Sequence, residues 1–226
     1  MKRVNVEVWS DFVCPWCWIA KRRLDKAAAS LSSQVEVIVT AKSYRLAKGM
    51  APMDFKSALY QKFGNRIAAD RMMAAVREQG LLEGLTYNFD TMRFGDTSAA
   101  HTLIKSVRSP VLAQRLVERV FKAATTDGLD IFDREVLILL AKETGMADTA
   151  FEFDSADFAS EIALDEREAN QIANGVPLFV FNKKLYLSGA REVEAFQNAL
   201  LEGATDVPDA FDAGTGESCG IDGCAR

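Results

Sequence analysis

The sequence predicts an α/β fold in which a mixed sheet, covered by helices on both faces, is split by an all-helical insertion. Three observations predict it. The chain opens with a strand, a helix and a second strand. It then runs through a long stretch of helical periodicity with no strand pattern. It closes with a helix, two short apolar strands and a final helix. The order is βαβ, a helical block, then αββα, which is the pattern of a layered sheet-and-helix domain carrying an insertion. The expected organisation is residues 1–48 and 150–203 as the sheet domain, 49–149 as the inserted helical domain, and 204–226 as a mobile tail.

Each element has its own signal. Residues 3–9 (Arg3-Val4-Asn5-Val6-Glu7-Val8-Trp9) alternate apolar and polar, which marks a strand. After the short connection Ser10-Asp11-Phe12-Val13 the period changes. Trp18, Ile19, Arg22 and Lys26 fall at helical spacing, and Leu24, Ala27, Ala28 and Leu31 fill an apolar stripe. Pro15 suits the first turn of that helix, where its missing N–H has no helical partner anyway. Residues 34–41 are β-branched and make the second strand.

Helices are expected near 53–63, 65–79, 97–108, 110–126 and 133–143, with Pro110 separating the third from the fourth, Asp133 as an N-cap and Gly145 as a stop. They carry no repeat. Another helix covers 155–173. Past Gly175-Val176-Pro177, the runs Leu178-Phe179-Val180-Phe181 and Leu185-Tyr186-Leu187 flank the turn Asn182-Lys183-Lys184 and read as a hairpin. A helix from about residue 191 to 201 follows, and the Gly/Asp/Ala-rich end has no apolar periodicity.

Composition narrows the function. Of the 226 residues, 49% are hydrophobic, enough for a sizeable core and too many for general disorder. No apolar run approaches the ~18 residues of a membrane-spanning helix, so no membrane partner is expected. Met1-Lys2-Arg3 leads straight into the first strand without an apolar leader, and a cytoplasmic location is expected. The net charge of −5 hides a basic first third and an acidic remainder. The basic residues are scattered and not interleaved with aromatics, so no nucleic-acid partner is expected.

The chemistry centres on Cys14-Pro15-Trp16-Cys17. Disulfide exchange needs a thiolate, a second thiol within reach, and exposure of the attacking sulfur. A strand before and a helix after supply all three. Cys14 falls at the helix N-terminus, where unpaired N–H groups and the macrodipole favour a negative sulfur. Cys17 lies one turn on, shielded, and able to close a bridge. Cys14 is therefore the expected nucleophile and Cys17 the resolving thiol. A zinc site would need about four ligands, and the single histidine and the other cysteines are remote in sequence. No metal and no cofactor are expected.

Val176-Pro177, directly before a strand, is expected opposite the cysteine turn. That is the place for a cis peptide bond, which costs little at proline. It would leave the Val176 backbone free to pair with an extended substrate. Pro15, Trp16, Val176 and Pro177 thus form the expected walls of the site. Phe12, Trp16 and Trp18 suggest a broad apolar entrance suited to unfolded polypeptide.

The stretch from Trp9 to Trp18, the helical insertion, and Gly175-Val176-Pro177-Leu178-Phe179-Val180 together resemble the DsbA family, and within it the FrnE-like branch. The resemblance covers about residues 3–202. It implies a thioredoxin fold with an inserted helical domain, a cis-proline at Pro177, and thiol–disulfide oxidase, isomerase or reductase activity. It also implies that His101, in the helix beginning near Asp96-Thr97-Ser98, faces the active-site helix and donates to a thiolate or leaving sulfur. The alternative is a partly buried structural histidine.

A second pair, Cys219 and Cys224, encloses four residues that include two glycines, so a local disulfide is easy. A mobile tail could bring it to Cys14 and Cys17 as a redox relay. The expected partners are protein or peptide disulfides, with glutathione or a thioredoxin-type reductant. Two other readings remain open: a glutathione-dependent small-molecule isomerase or transferase on the same scaffold, resembling the kappa-class glutathione transferases, and a non-catalytic adaptor. Retention of both cysteines argues against each.

Overall fold

The computed structural model describes residues 2–146, 151–205, 218–220 and 223–225, the last two segments by their backbone alone. Strand β1 (Lys2–Ser10) leads through a short connection into helix α1 (Pro15–Ser30), and β2 (Val35–Ser43) returns parallel to β1, from Lys2 opposite Val35 to Ser10 opposite Ser43. The helical block then follows. It begins with β3 (Met53–Asp54) and includes α2 (Phe55–Phe63), α3 (Arg66–Leu82), β4 (Arg93–Phe94), α4 (Ser98–Ser106), α5 (Pro110–Lys122) and α6 (Arg134–Glu143). Helix α7 (Ala156–Ile172) leads to the hairpin β5 (Leu178–Phe181) and β6 (Leu185–Ser188), and α8 (Val193–Gly203) follows. The sheet order is β2-β1-β5-β6, with β5 antiparallel to β1. Near the end, β7 (Ser218–Gly220) and β8 (Gly223–Ala225) pair antiparallel, with Cys219 opposite Cys224.

The alternation in β1 sorts the layers. Val4, Val6 and Val8 are buried. Val4 lies against Gly203 of α8, and Val8 shares a cleft with Cys17 and Leu24 of α1, so these side chains face the α1 and α8 layer. Trp9 points the other way, its indole N–H donating to the Asp165 carbonyl of α7 at 2.8 Å. Asp165 also accepts from the Ser43 amide at 2.9 Å and pairs with Lys42 and Lys105, which fastens α7 to β2 and α4.

The helices fall where the periodicity expects them, with informative differences at their ends. Pro15 and Pro110 open α1 and α5, and the Asp133 side chain caps α6 by accepting from the Glu135 amide at 2.8 Å. Helix α5 stops before residue 126. The chain widens there into a π turn (Ala123–Asp127) ended by Gly128 at φ 69°, a left-handed conformation that glycine adopts without strain. The ribbon of β3 and β4, two residues on each side, carries too short a period to be read from sequence.

The hairpin turn puts Asn182 and Lys183 at φ 48° and 59° without a glycine. Asn182 offsets this by accepting from the Asn5 amide at 2.8 Å and donating to the Gly203 carbonyl at 2.7 Å. The expected boundary near residue 150, and residues 206–217, 221, 222 and 226 of the expected tail, lie outside the described residues.

Candidate active site

Cys14 is the residue just before α1. It is extended, at φ −96° and ψ 106°, and Pro15 follows at the first helical position. Its amide donates to the Asp11 carbonyl at 3.0 Å, which closes the turn out of β1, and the Cys17 amide donates to the Cys14 carbonyl at 3.1 Å. No acidic residue stands in the first turn of α1, so nothing there cancels the partial positive charge that faces Cys14. The second wall is Val176. The Cys14 thiol points at its carbonyl, 3.9 Å away, and the Val176-Pro177 peptide is cis. The structure thus brings Cys14, Pro15, Cys17, Val176 and Pro177 together from the two ends of the chain.

The Cys17 thiol is pushed well above the ordinary thiol pKa. Burial is the largest cause, and the hydrogen bond to Cys14 and the charge there add to it. A hydrogen bond from the Asp11 backbone pulls the other way, while the Asp11 carboxylate raises it further. Cys17 is therefore a protonated thiol facing its partner sulfur.

The sequence suggests an exposed attacking sulfur and an apolar entrance. The structure corrects both. Cys14 is 0% and Cys17 1% exposed, and Phe12, Trp16 and Trp18 are buried. The reason is the insertion, which packs on this face of α1. Trp18 stacks on Phe121 with ring centroids 6.3 Å apart, meets Tyr87 edge-on at 5.8 Å, and donates to Glu118 at 2.9 Å. Phe12 lies 5.0 Å from both Phe121 and the His101 ring. What resembles an entrance in sequence is an interface between α1 and the insertion.

Two further residues at the site have no role assigned from the sequence. Tyr87 donates its buried hydroxyl to the Pro15 carbonyl at 2.8 Å, inside the cysteine turn. Burial, then negative charge at Cys14, push its pKa well above that of an ordinary phenol, so it remains a donor. Asp11 is 0% exposed. One carboxylate oxygen accepts from the Thr97 hydroxyl at 2.7 Å, and the other from the Leu46 amide at 2.6 Å. The sequence signal for Asp11 was an acid three residues before a cysteine at a strand end, but nothing in it announces burial. His101 sits beside this carboxylate, its Nε2 3.8 Å from Asp11 Oδ1 and 3.1 Å from the Tyr44 carbonyl.

This arrangement of strand, Cys-x-x-Cys turn, helix, and cis-proline before an antiparallel strand agrees with the comparisons. A family model described as the DSBA-like thioredoxin domain matches residues 5–201. The chain belongs to that family. Its fold is the thioredoxin fold with a helical insertion. A probable DsbA oxidoreductase from Streptomyces coelicolor is 31% identical over 99% of both chains, with a TM-score of 0.80. The cytosolic disulfide reductase DsbM from Pseudomonas aeruginosa aligns over 88% of this chain and 95% of its own, at 16% identity and a TM-score of 0.59. A 2-hydroxychromene-2-carboxylate isomerase aligns over 88% and 95%, at 16% identity and a TM-score of 0.66. No curated protein matches the chain. The DsbA-like chain is thus an oxidoreductase by family. Among its described residues, no helix is long and apolar enough to cross a membrane.

Proposed function

We propose that this DsbA-like protein exchanges disulfides with protein or peptide substrates, Cys14 attacking and Cys17 resolving. The observation that carries the reading is the placement of Cys14 at the start of α1 with the Cys17 thiol beside it and Val176 opposite. Cys14 faces the N-terminus of α1, where no acid opposes the partial positive charge, and burial keeps Cys17 protonated until it is needed. Pro15 and Trp16 shape the turn. The Val176 carbonyl, next to the sulfur, supports pairing with an extended substrate backbone.

Insulin reduction tests it. Cys14→Ser should fall to background. Cys17→Ser should accumulate a mixed disulfide on Cys14, visible as an adduct by intact mass. Full turnover by Cys14→Ser, or an adduct on a different cysteine, would overturn the assignment.

The closed site favours one refinement. A small thiol needs less opening than a folded protein loop to reach a sulfur that is 0% exposed. A solved structure of the Pseudomonas reductase is with glutathione. Glutathione is therefore our candidate for the thiol partner that recycles the pair, and a cytoplasmic setting would bias it towards reduction. Cys219 and Cys224 fit as an additional dithiol exchanging with the first.

A further inference from the structure

Helix α5 of the insertion leaves a cleft between itself, α1 and the strands β1 and β2. The space measures about 370 Å³ counting the open mouth, within the range of small-molecule sites. Val8 of β1, Val39 and Ala41 of β2, Leu24 of α1, and Val117 and Phe121 of α5 line it. Leu24, Val117 and Phe121 are buried, so the floor is apolar. Protein interiors leave few gaps of this kind. The lining of a gap lacks dispersion contacts that an apolar guest would supply.

The polar groups of the lining are half-buried and stand at the rim. Gln114 donates to the Val39 carbonyl at 3.5 Å, which is long for a hydrogen bond. Val39 lies on β2, the edge strand of the sheet. So weak a bond leaves both groups open to a guest that can donate and accept. Lys21 lies 2.7 Å from Asp25 and 3.3 Å from Glu118. Two carboxylates balance its charge. An anionic head would have to displace one of them, and a cationic head would meet Lys21 itself. The rim therefore suits a neutral head.

Cys17 also lines this cleft, whereas Cys14 and Val176 do not. The cleft thus comes to the Cys17 sulfur from a side apart from the substrate wall.

We propose that this cleft is a binding site for a small neutral amphiphile, an aliphatic chain ending in a hydroxyl or an amide, and that it is the way small molecules reach Cys17. The chain lies against Leu24, Val117 and Phe121, and the head exchanges hydrogen bonds with Gln114 and the Val39 carbonyl. An occupied cleft shields the Cys17 sulfur. The site does not depend on the exchange reaction proposed above, and its test uses a protein that cannot perform that reaction.

The full chain with Cys14→Ser, Cys219→Ser and Cys224→Ser keeps Cys17 as its one cysteine. The probe is 1-hexanol. Titrated into methyl-labelled protein, it should cause saturable NMR shifts at Leu24, Val39 and Val117. Iodoacetamide, itself small and neutral, reports access to the sulfur by intact mass: sulfur bonds to its methylene carbon and iodide leaves. Hexanol at ten times its dissociation constant leaves about a tenth of the protein free, so alkylation of Cys17 should slow about tenfold. Hexanoate and hexylammonium should bind more weakly than hexanol. Ala41→Leu fills the cleft from the strand side and should abolish both effects of hexanol. Val117→Phe fills it from α5 and is read the same way if the Leu protein does not fold.

Absence of saturable shifts overturns the proposal, as do equal shifts in a folded cleft-filling variant. Hexanoate or hexylammonium binding as tightly as hexanol overturns the neutral ligand class. Saturable shifts without slower alkylation would separate the cleft from Cys17. No alkylation of the parent protein, even on overnight incubation, would show that the cleft gives no access to the sulfur. Either result overturns the link to Cys17.

Discussion

The cysteine turn stands between two walls that do different work. On the sheet side, Val176 and the strand pairing of β1 with β5 supply geometry: a carbonyl 3.9 Å from the Cys14 sulfur and a register that brings Leu178 opposite Trp9. The sheet contributes main-chain groups to those contacts, and they would survive most side-chain changes on the sheet. On the insertion side the contacts are side-chain. Tyr87 holds a carbonyl inside the turn, Phe121 and Glu118 cover Trp18, and Thr97 anchors Asp11. The sheet positions the sulfurs, and the insertion determines how dry and how charged their surroundings are. Chemistry that depends on thiol ionisation should therefore be tuned from the insertion wall.

If that division is right, the largest loss on the insertion wall comes from Trp18→Ala. The side chain is buried, stacked and hydrogen-bonded. Its removal should cost about 3–5 kcal/mol in urea unfolding, as for other buried aromatics. The Glu118 carboxylate also loses a donor. A loss under about 1 kcal/mol would mean that α1 and the insertion are only loosely packed.

Tyr87→Phe is gentler in volume but reaches the site itself. The Pro15 carbonyl loses the Tyr87 donor inside the turn, which costs about 0.5–1.5 kcal/mol. Exchange should slow because the turn carrying Cys14 is less well held. A variant with unchanged stability and unchanged exchange rate would show that the sheet wall alone fixes the turn.

The joint between the walls is Arg23, nearly fully buried on α1. It donates to Glu83 and Gln79 of the insertion end and to the Ala190 carbonyl beyond β6. Burial works to raise the Glu83 pKa, but hydrogen bonds from Lys26 and Arg23 outweigh it and hold the carboxyl below its ordinary value. A folded-state pKa lowered in this way stabilises above the unfolded-state value, and that stability is lost as pH falls through the folded-state value. Glu83→Gln should therefore lower the urea midpoint at neutral pH and approach the parent protein in strong acid. The effect should be smaller than that of Tyr87→Phe in the site, because Arg23 keeps its other acceptors. A gap between the two proteins that widens in acid would contradict the sign.

The contrast also explains what could be read from the sequence. Cys14, Pro15 and Cys17 were legible because their spacing and helix start are local. Val176-Pro177 was legible because a proline before an apolar strand has few roles in a βαβ…αββα order. The insertion wall was not. Tyr87 and Pro15 lie 72 residues apart, and Thr97 and Asp11 lie 86 apart. No periodicity connects such pairs. Trp18 misled for the same reason: an apolar side chain at a helix start suits an entrance and an interface equally, and only the packed partner decides. Asp11 read as part of a connection, because a buried carboxylate and an exposed one are the same letter.

The smallest effect is expected from the second pair. The backbone sets Cys219 opposite Cys224 in the β7–β8 ribbon. If the pair acts as the proposed relay, a tethered dithiol would meet Cys14 and Cys17 at an effective concentration on the order of mM. Glutathione at similar concentration would compete with it on even terms. Cys219→Ser with Cys224→Ser should therefore slow recycling only about twofold in millimolar thiol. At micromolar thiol the tail would be the dominant nearby reductant, and the same change should slow recycling far more. That dependence on external thiol is the signature of a relay. Recycling that is slowed equally at both concentrations would point to a structural effect of the substitutions. Recycling that is unaffected at either would leave Cys14 and Cys17 as a self-contained dithiol, controlled by the two walls alone.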